Sequence, residues 1–228
     1  MKSVTNARFP TVVLLSGKAL LNTLDQLIDS EDHPATNKPS TSDKSSLAHI
    51  RHINMTISRD EAEILYEQKL GHSNQLTVDS KKFEILRDLY PKLRDKKSII
   101  VCGEEKKALW LCELMQRQDL PVTCVASKPS LHKSEFKKFD SASSGVVLIS
   151  AKMAVHFKDK QIPVMVNFDL PTKAKRYRNI VECSGVAPEN RTVINLLGTK
   201  KEESMMQTAR LQYGITVEEV SSLADVTV

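Results

Sequence analysis

The chain has 228 residues, a formal net charge of +5 and a sequence pI near 8.9. This length suits one large domain, or one domain with an extension, and it is sufficient to bury a full hydrophobic core. No apolar run approaches the roughly 18 residues that a membrane-spanning helix requires, so neither a transmembrane helix nor a signal peptide is expected. The basic charge favours nucleic acid or an acidic protein surface as a partner, and it equally fits a mildly basic soluble protein that binds neither.

Residues 1–77 are predicted to form an N-terminal extension. It begins with a strand-like run at 11–15 and a helix at 19–28, on which leucines repeat at helical spacing. The stretch 30–47 is rich in Ser, Thr, Pro and charged residues and has no apolar period. Such a segment cannot bury enough surface to offset its ordering entropy, so it is predicted to be a disordered linker.

The end of this extension combines a strand with a helix. Residues 50–57 alternate in polarity, which is typical of a half-buried strand. Ser58 and Glu61 form a capping box for a helix over 59–70, and Gly71 is placed to end that helix. We expect this piece to dock against the domain that follows.

Residues 78–228 alternate between strand and helix patterns, as α/β domains do. Strands are predicted at 98–102, 122–126, 146–149, 164–168 and 191–197, and helices from 80 to about Pro91, after Gly103, at 128–139 and at 202–213. A short edge segment is predicted at 215–220, followed by a frayed end. The predicted face of the helix after Gly103 consists of Ala108, Leu111, Cys112 and Met115.

Two of these strands end in polar residues. The run at 146–149 leads to Ser150, and the run at 164–168 leads to Asp169. Apolar runs bounded by turn residues indicate buried parallel strands, whose carboxyl ends form the ligand crevice of an α/β sheet. The sequence therefore predicts a nucleotide or nucleic-acid site beside Ser150 and Asp169.

The four cysteines, Cys102, Cys112, Cys124 and Cys183, are far apart and show no paired spacing. Two of them, Cys102 and Cys124, lie in apolar runs. This usage predicts reduced core thiols in a cytosolic or nuclear protein, in preference to disulfides or zinc ligands.

Three short segments carry a resemblance to a known family. Residues 149–152 are ISAK, residues 156–159 are HFKD and residues 167–171 are NFDLP. At the same spacing, the second RecA-like lobe of DEAD-box RNA helicases has a strand ending Ser-Thr-Asp, a connector Arg-Gly-x-Asp and a strand ending Asn-Tyr-Asp-Leu-Pro. The resemblance implies a RecA-like, mostly parallel sheet with helices on both faces, spanning residues 78–228.

The arginines of this lobe are replaced. In the family, His-Arg-Ile-Gly-Arg-x-Gly-Arg begins two residues after a tyrosine, and its arginines stabilise the γ-phosphate of ATP. Here Tyr177 keeps its place, and Ile180, Cys183 and Val186 occupy the arginine positions. Loss of an arginine finger costs on the order of 10³ to 10⁵ in rate, so the resemblance implies no catalytic residue in this fragment.

The connector has changed as well. Ala151 and Lys152 stand where the family has Thr-Asp, Phe157 stands where it has glycine, and only Asp159 is retained from the ATP-side motif. A glycine in a tight turn does not become a large aromatic residue without movement of the backbone. We therefore expect no cofactor on this fragment, with ATP binding reserved for a longer protein that contains it.

Two basic segments are candidate contacts for nucleic acid. Residues 172–178 are TKAKRYR, which interleaves cations with an aromatic ring, and this pattern suits phosphate contacts with stacking. The alternatives are a solvated helix start with Tyr177 in the core, or an acidic protein partner. In the family, the helix at 128–139 begins with Gln-x-x-Arg, whose arginine grips RNA. Here Pro129 and His132 hold those positions among lysines, for which a solvated helix face is the default alternative. The candidate contact residues are Lys128, His132, Lys133, Lys173, Lys175, Arg176 and Arg178.

These features lead to three hypotheses. The first is a non-catalytic module for RNA binding, self-association or scaffold assembly, and the second is one half of an ATP-dependent RNA helicase that needs its other lobe. The third is a structural spacer. The degenerate lobe also resembles that of helicase-like proteins with Tudor domains, which implies a role in piRNA silencing and a cytoplasmic location in perinuclear ribonucleoprotein granules.

Overall fold

The computed structural model describes residues 45–57, 74–127, 133–158, 160–183 and 186–226. The elements predicted at 11–15, 19–28 and 59–70 lie outside these residues. Residues 30–44 of the predicted linker also lie outside them. The α-helices are α1 Ser45–Ala48, α2 Asn74–Arg94, α3 Glu105–Arg117, α4 Lys133–Ser141, α5 Ala174–Val181 and α6 Lys200–Tyr213. The strands are β1 Arg51–Thr56, β2 Lys97–Cys102, β3 Thr123–Val125, β4 Gly145–Ser150, β5 Val164–Asn167, β6 Thr192–Leu197 and β7 Val217–Glu219. Short 3₁₀ helices cover Ala151–Phe157, Pro188–Asn190 and Leu223–Asp225.

The seven described strands form one parallel sheet in the order β3-β4-β2-β5-β6-β1-β7. Parallel neighbours require crossover connections, and helices supply them between successive strands. The predicted α/β fold, with its RecA-like sheet and flanking helices, is confirmed.

Helices cover both faces of the sheet, which explains the continuous apolar strands. One face packs against α2 and α3 through residues such as Ile100 and Leu148. The other face packs against α1, α4, α5 and α6 through residues such as Val101 and Ile149. Alternate residues of each central strand therefore enter two separate cores.

Strand β1 belongs to the sheet itself. It is hydrogen-bonded between β6 and β7, and residues 52–55 are all buried. The prediction of a half-buried strand is therefore wrong at this point. Its polar residues His52 and Asn54 face the core, where each finds hydrogen-bond partners.

The predicted linker and the predicted frayed end also need correction where they are described. Residues 45–47 of the predicted linker lie in α1, and the Leu47 side chain is 0% exposed. Near the other end of the chain, Val226 is buried in the core beside α2. Leu47 and Val226 each pack into a hydrophobic core, which the polar composition around them does not indicate.

Two helix predictions differ in detail from the structure. Helix α2 begins earlier than predicted and continues past Pro91, which lies exposed in its last turns, because Leu93 is buried and favours continuation. Helix α6 begins at Lys200, two residues before the predicted start, and its buried residues are Met205, Met206, Ala209 and Tyr213. The face predicted for α3 is confirmed in full.

Candidate nucleic-acid interface

The parallel strands bring their carboxyl ends to one edge of the sheet, where the sequence predicts a ligand crevice. Both predicted polar residues lie there, and both are engaged within the chain. The Ser150 hydroxyl donates to the Ala126 carbonyl over 2.9 Å. The Asp169 carboxylate accepts from the Gly103 amide and from Lys107 Nζ, each over 2.9 Å. These groups therefore stabilise the sheet edge itself.

A partly buried cluster of charged side chains surrounds Asp169. Lys82 is 0% exposed, and its Nζ donates to Glu202 over 2.5 Å and to the Phe168 carbonyl over 2.8 Å. Lys107 bridges Asp169 and Asp79, with its Nζ 3.0 Å from an Asp79 carboxylate oxygen. Burial lowers the pKa of Lys107, but Asp169 and Asp79 more than compensate and raise it. We call Asp79, Lys82, Lys107, Asp169 and Glu202 the charge cluster.

Sequence reasoning missed this cluster, although a signal existed. Lys82 lies four residues after Val78 and four before Leu86, on the stripe of α2 that faces the core. A lysine on an apolar stripe demands a buried partner. Gly198 lies close to α2, since a Cβ at this position would be 2.3 Å from Val78 Cγ1. The turn that contains Gly198 leads into α6, where Glu202 accepts from Lys82 and also forms part of the capping box of α6.

Phe157, which stands where the resembled family has glycine, packs against two phenylalanines of α4. Its side chain is buried between the 3₁₀ helix and α4, with its ring centroid 5.0 Å from that of Phe136 and 6.4 Å from that of Phe139. Such tilted aromatic pairs stabilise beyond their buried area. The connector is therefore anchored on α4 by hydrophobic packing. Asp159, which the resemblance matches to a residue of the ATP-side motif, lies outside the described residues.

The inner face of α5 is core. Tyr177 is 0% exposed, and its hydroxyl lies 2.9 Å from His52 Nδ1 and 3.3 Å from Asn195 Oδ1. Burial raises the pKa of Tyr177. The suggestion that Tyr177 stacks on a base is therefore wrong, because its ring has no solvent-facing surface.

His52 shares this buried site. Its Nε2 lies 3.3 Å from the Leu47 carbonyl, so Nε2 carries the proton and Nδ1 accepts from the Tyr177 hydroxyl. Burial lowers the pKa of His52 to about 4, with a smaller contribution from the charge of Arg191. Neutral His52 thus links α1, β1 and α5.

The positions that carry arginines in the family are also part of this packing. Ile180 is 3% exposed and Cys183 is 8% exposed. The Cys183 thiol donates to the Asn179 carbonyl over 2.9 Å, and burial raises its pKa. Val186, the third position, is half-buried. Aliphatic and thiol side chains here fill core volume.

Arg191, which follows this segment in the sequence, stabilises the local backbone. Its Nη1 donates to the Val181 carbonyl over 2.7 Å, and its Nη2 donates to the Val186 carbonyl. Burial lowers its pKa. The guanidinium therefore links the backbone at Val181 to the backbone at Val186.

The outer side of α5 carries the predicted cations. Lys173, at the N-cap, and Lys175 and Arg176, in the first turn, are exposed. Arg178 differs: its Nε donates to Glu182 over 2.9 Å, and its guanidinium carbon lies 5.8 Å from the Tyr213 ring centroid. Three of the four predicted residues thus form one exposed surface, which we call the basic face, and Arg178 packs between helices.

The second predicted basic segment is only partly described. Lys133 is the exposed first residue of α4, whereas Lys128 and His132 lie outside the described residues. Helix α4 follows β3, which is three strands from β5 in the sheet order. At about 4.8 Å per strand, this places β3 roughly 14 Å from β5. Lys133 and the basic face therefore follow well-separated strands.

Within the described ranges, no helix combines the length and the apolar character needed to cross a membrane. The same ranges contain no group of three or more His, Cys, Asp or Glu side chains suited to holding a metal ion.

Comparisons with known proteins agree with this architecture. No family model matches the chain. Eukaryotic initiation factor 4A-3 of Arabidopsis thaliana is 30% identical over 147 residues, which cover 63% of this chain and 35% of that relative. The chain thus spans about a third of the length of this curated relative.

Two solved structures share the fold. Dbp5 of S. cerevisiae, bound to RNA and ADP BeF3, matches with a TM-score of 0.65 and 16% identity, over 88% of this chain and 49% of that one. The C-terminal domain of the DEAD-box protein Dbp5 matches with a TM-score of 0.60 and 17% identity, over 76% of this chain and 91% of that one. The chain is therefore a RecA-like α/β domain that is similar in sequence and in fold to the C-terminal lobe of DEAD-box RNA helicases.

Proposed function

We propose that this chain is a non-catalytic helicase-C-like module that binds RNA through the basic face of α5. The main observation in support is that three cations are exposed on a helix whose opposite side is packed in the core. Lysine and arginine contacts to phosphates are independent of sequence and supply most of such affinity. Dbp5, which shares the fold, has been solved with RNA bound.

The rigid support of the basic face strengthens this proposal. Tyr177 and Ile180 pack α5 into the core, and Arg178 ties it to Glu182 and to the Tyr213 ring. A helix fixed in this way presents its cations with little loss of backbone freedom on binding.

We further propose that the chain alone does not hydrolyse ATP. Ile180 and Cys183 are packed in the core, and the Arg191 guanidinium is bound to backbone carbonyls. Transition-state charge on a phosphoryl group needs preorganised cations directed at it. The segment that supplies them in the family here supplies packing.

The test is a fluorescence anisotropy titration with labelled single-stranded RNA. The triple variant Lys173→Glu, Lys175→Glu, Arg176→Glu is expected to bind at least about tenfold more weakly than the parent chain at low salt. The control is Arg94→Glu, Lys96→Glu, Arg117→Glu, which makes the same charge change at exposed residues near the amino-terminal edge of the sheet. Equal losses in both variants would reduce the effect to net charge and contradict the proposed face.

Self-association belongs to the same proposal, because a scaffold needs a second contact. Light scattering of the chain with and without RNA measures it directly. A monomer at high concentration in both conditions would restrict the module to RNA binding.

Assignment to a Tudor-domain helicase-like protein of piRNA silencing, in perinuclear granules, rests on resemblance alone. Sequencing of RNA cross-linked to the protein in cells tests it.

A second candidate function is one lobe of an ATP-dependent RNA helicase, active only with its partner lobe. It is favoured by the match to 88% of this chain in a structure of Dbp5 with RNA and ADP BeF3. Single-turnover ATP hydrolysis by a longer protein containing this chain discriminates between the two functions. Hydrolysis that is lost with Asp159→Ala would support the helicase.

A further inference from the structure

A small pocket lies beside α6, at the carboxyl ends of β1, β6 and β7. Its volume is about 180 Å³. Four residues of one helix face form its wall on the α6 side, namely Glu203, Met206, Gln207 and Arg210. On the side of the strands, the pocket is lined by residues that include Asn54, Leu197 and Glu219. None of the cations of the basic face lines this pocket.

A row of asparagines fixes the strand side of the pocket. Asn167, Asn195 and Asn54 are buried neighbours on β5, β6 and β1, and Glu219 continues the row on β7. Asn167 Nδ2 donates to Asn195 Oδ1 over 2.8 Å, and Asn195 Nδ2 donates to Asn54 Oδ1 over 3.0 Å. Asn54 Nδ2 donates to Glu219 Oε1 over 3.1 Å. Because an ionised carboxylate only accepts hydrogen bonds, Glu219 sets the direction of the whole row, and the row in turn holds this carboxylate at the pocket.

The pocket carries an excess of negative charge. Glu203 is exposed, and within the part of the chain that the structure describes its carboxylate has no ion-pair or hydrogen-bond partner. Glu219 contacts Asn54 and, over 3.8 Å, Arg210, and both contacts use Oε1. Among the described residues that line the pocket, Arg210 is the one cation beside these two carboxylates. An incoming cation therefore neutralises the charge that Arg210 leaves uncompensated.

A guanidinium matches these acceptors better than an ammonium does. The Gln207 carboxamide lies one turn after Glu203 on α6, so a single planar group can contact both side chains. A guanidinium presents five donors in a rigid plane, whereas an ammonium is a point charge with three. Arg210 lies about 10 Å further along the helix axis and does not compete for Glu203. Met206 and Leu197 supply apolar contact for an aliphatic stem.

We propose that this pocket binds an arginine side chain presented by a partner protein. Its volume suits one side chain and falls well short of the roughly 300–1,000 Å³ of pockets for drug-sized ligands. Its negative charge disfavours the phosphates of RNA, and arginine is enriched among the residues that anchor protein interfaces. The site is a protein contact separate from the basic face of α5.

The test is an NMR titration of the isotopically labelled full chain with N-acetyl-L-arginine amide, a capped arginine. The readout is the side-chain amide signals of Asn54 and Gln207. Saturable shifts in the millimolar range are expected, because a single side chain offers few contacts. The equivalent capped lysine should bind more weakly, and capped citrulline, which has the shape of arginine without its charge, should cause no shift. Equal binding of the lysine or citrulline probe would overturn the proposal.

Free L-arginine distinguishes the two sources of a guanidinium. A side chain presented by a protein has no free α-amino or α-carboxyl group, so the capped form should bind at least as tightly as the free amino acid. Tighter binding of free L-arginine would identify a free amino acid as the ligand and would overturn the assignment to a partner protein.

Single variants locate the site. Glu203→Gln is expected to weaken binding of capped arginine about tenfold, because it removes the charge from a charge-assisted hydrogen bond. Arg210→Gln removes the opposing cation and should strengthen binding. The matched control is Glu218→Gln, since Glu218 is exposed next to Glu219 but does not line the pocket. A loss in this control equal to that in Glu203→Gln would reduce the effect to net charge and overturn the site. Because the parent chain alone gives the comparison of ligands, poor folding of a variant does not prevent the test.

Discussion

The two sides of helix α5 differ sharply in burial and in charge. The inner side carries Tyr177 and Ile180 in the core, and the outer side carries the basic face. In the family that the sequence resembles, arginines stand at positions 180, 183 and 186, which hold Ile, Cys and Val in this chain. Here those positions maintain the fold, while the exposed cations lie at the start of the helix. The free energy of unfolding should therefore respond strongly to changes on the inner side of α5 and weakly to changes on its outer side.

The largest effect is expected from placing an arginine on the inner side. Ile180→Arg places an unpaired charge in the core, and we expect the free energy of unfolding to fall by about 3–5 kcal/mol. Asn179→Arg is the control, since Asn179 is the neighbouring residue and is exposed. Urea denaturation measures both. Parental stability in Ile180→Arg would show that position 180 opens onto a polar crevice.

The next effect concerns pH. The pKa of His52 falls from 6.5 to about 4 on folding, so the unfolded chain binds the proton more tightly. The stabilisation from neutral His52 is complete above pH 6.5 and is lost as the pH falls toward 4. Its size is about 3 kcal/mol. In His52→Gln, stability should vary less with pH across this window; identical pH profiles of the two proteins would contradict the buried neutral imidazole.

A smaller effect is expected at the tyrosine hydroxyl. Tyr177→Phe leaves His52 Nδ1 without its donor, and the expected cost is about 1–3 kcal/mol. Combined with His52→Gln, it forms a double-mutant cycle with a coupling of at least about 0.5 kcal/mol, because the two groups are in contact. Additive losses would mean that the hydrogen bond between them contributes nothing.

The smallest effect on stability is expected on the outer side. The triple variant Lys173→Glu, Lys175→Glu, Arg176→Glu should unfold within about 0.5 kcal/mol of the parent chain, because exposed charges contribute little to folding. Thermal and urea unfolding, with the control at Arg94, Lys96 and Arg117, measure this. A large loss of stability would assign the basic face a structural role and weaken the case for RNA binding.

Much of the fold could be predicted because local patterns determine it. The apolar runs at β2, β4, β5 and β6 are short and bounded by turn residues, and the buried face of α3 follows helical spacing. Strand order could not be predicted in this way. Strands β4 and β5 are consecutive in sequence, yet both pair with β2 and are not adjacent. Long-range pairing depends on crossovers, which hydrophobic periodicity does not specify.

The location of the candidate site could be predicted, but the hydrogen-bond partners of its residues could not. The sequence placed Ser150 and Asp169 at the carboxyl edge, where they lie, but not the partners that engage them. It also identified the cations near Tyr177 without deciding which way the ring points. Interleaved basic and aromatic residues produce the same pattern whether the aromatic stacks on a base or fills a core, and only tertiary packing distinguishes the two cases.

The measurement that tests the central claim most directly is the salt dependence of RNA affinity, for the parent chain and for the triple variant of the basic face. Three phosphate contacts predict that the logarithm of the association constant falls with the logarithm of the salt concentration, with a slope of about −2 for single-stranded RNA. The account predicts this slope for the parent chain and a clearly shallower one for the variant. Equal slopes, or binding by the parent chain that does not depend on salt, would contradict it.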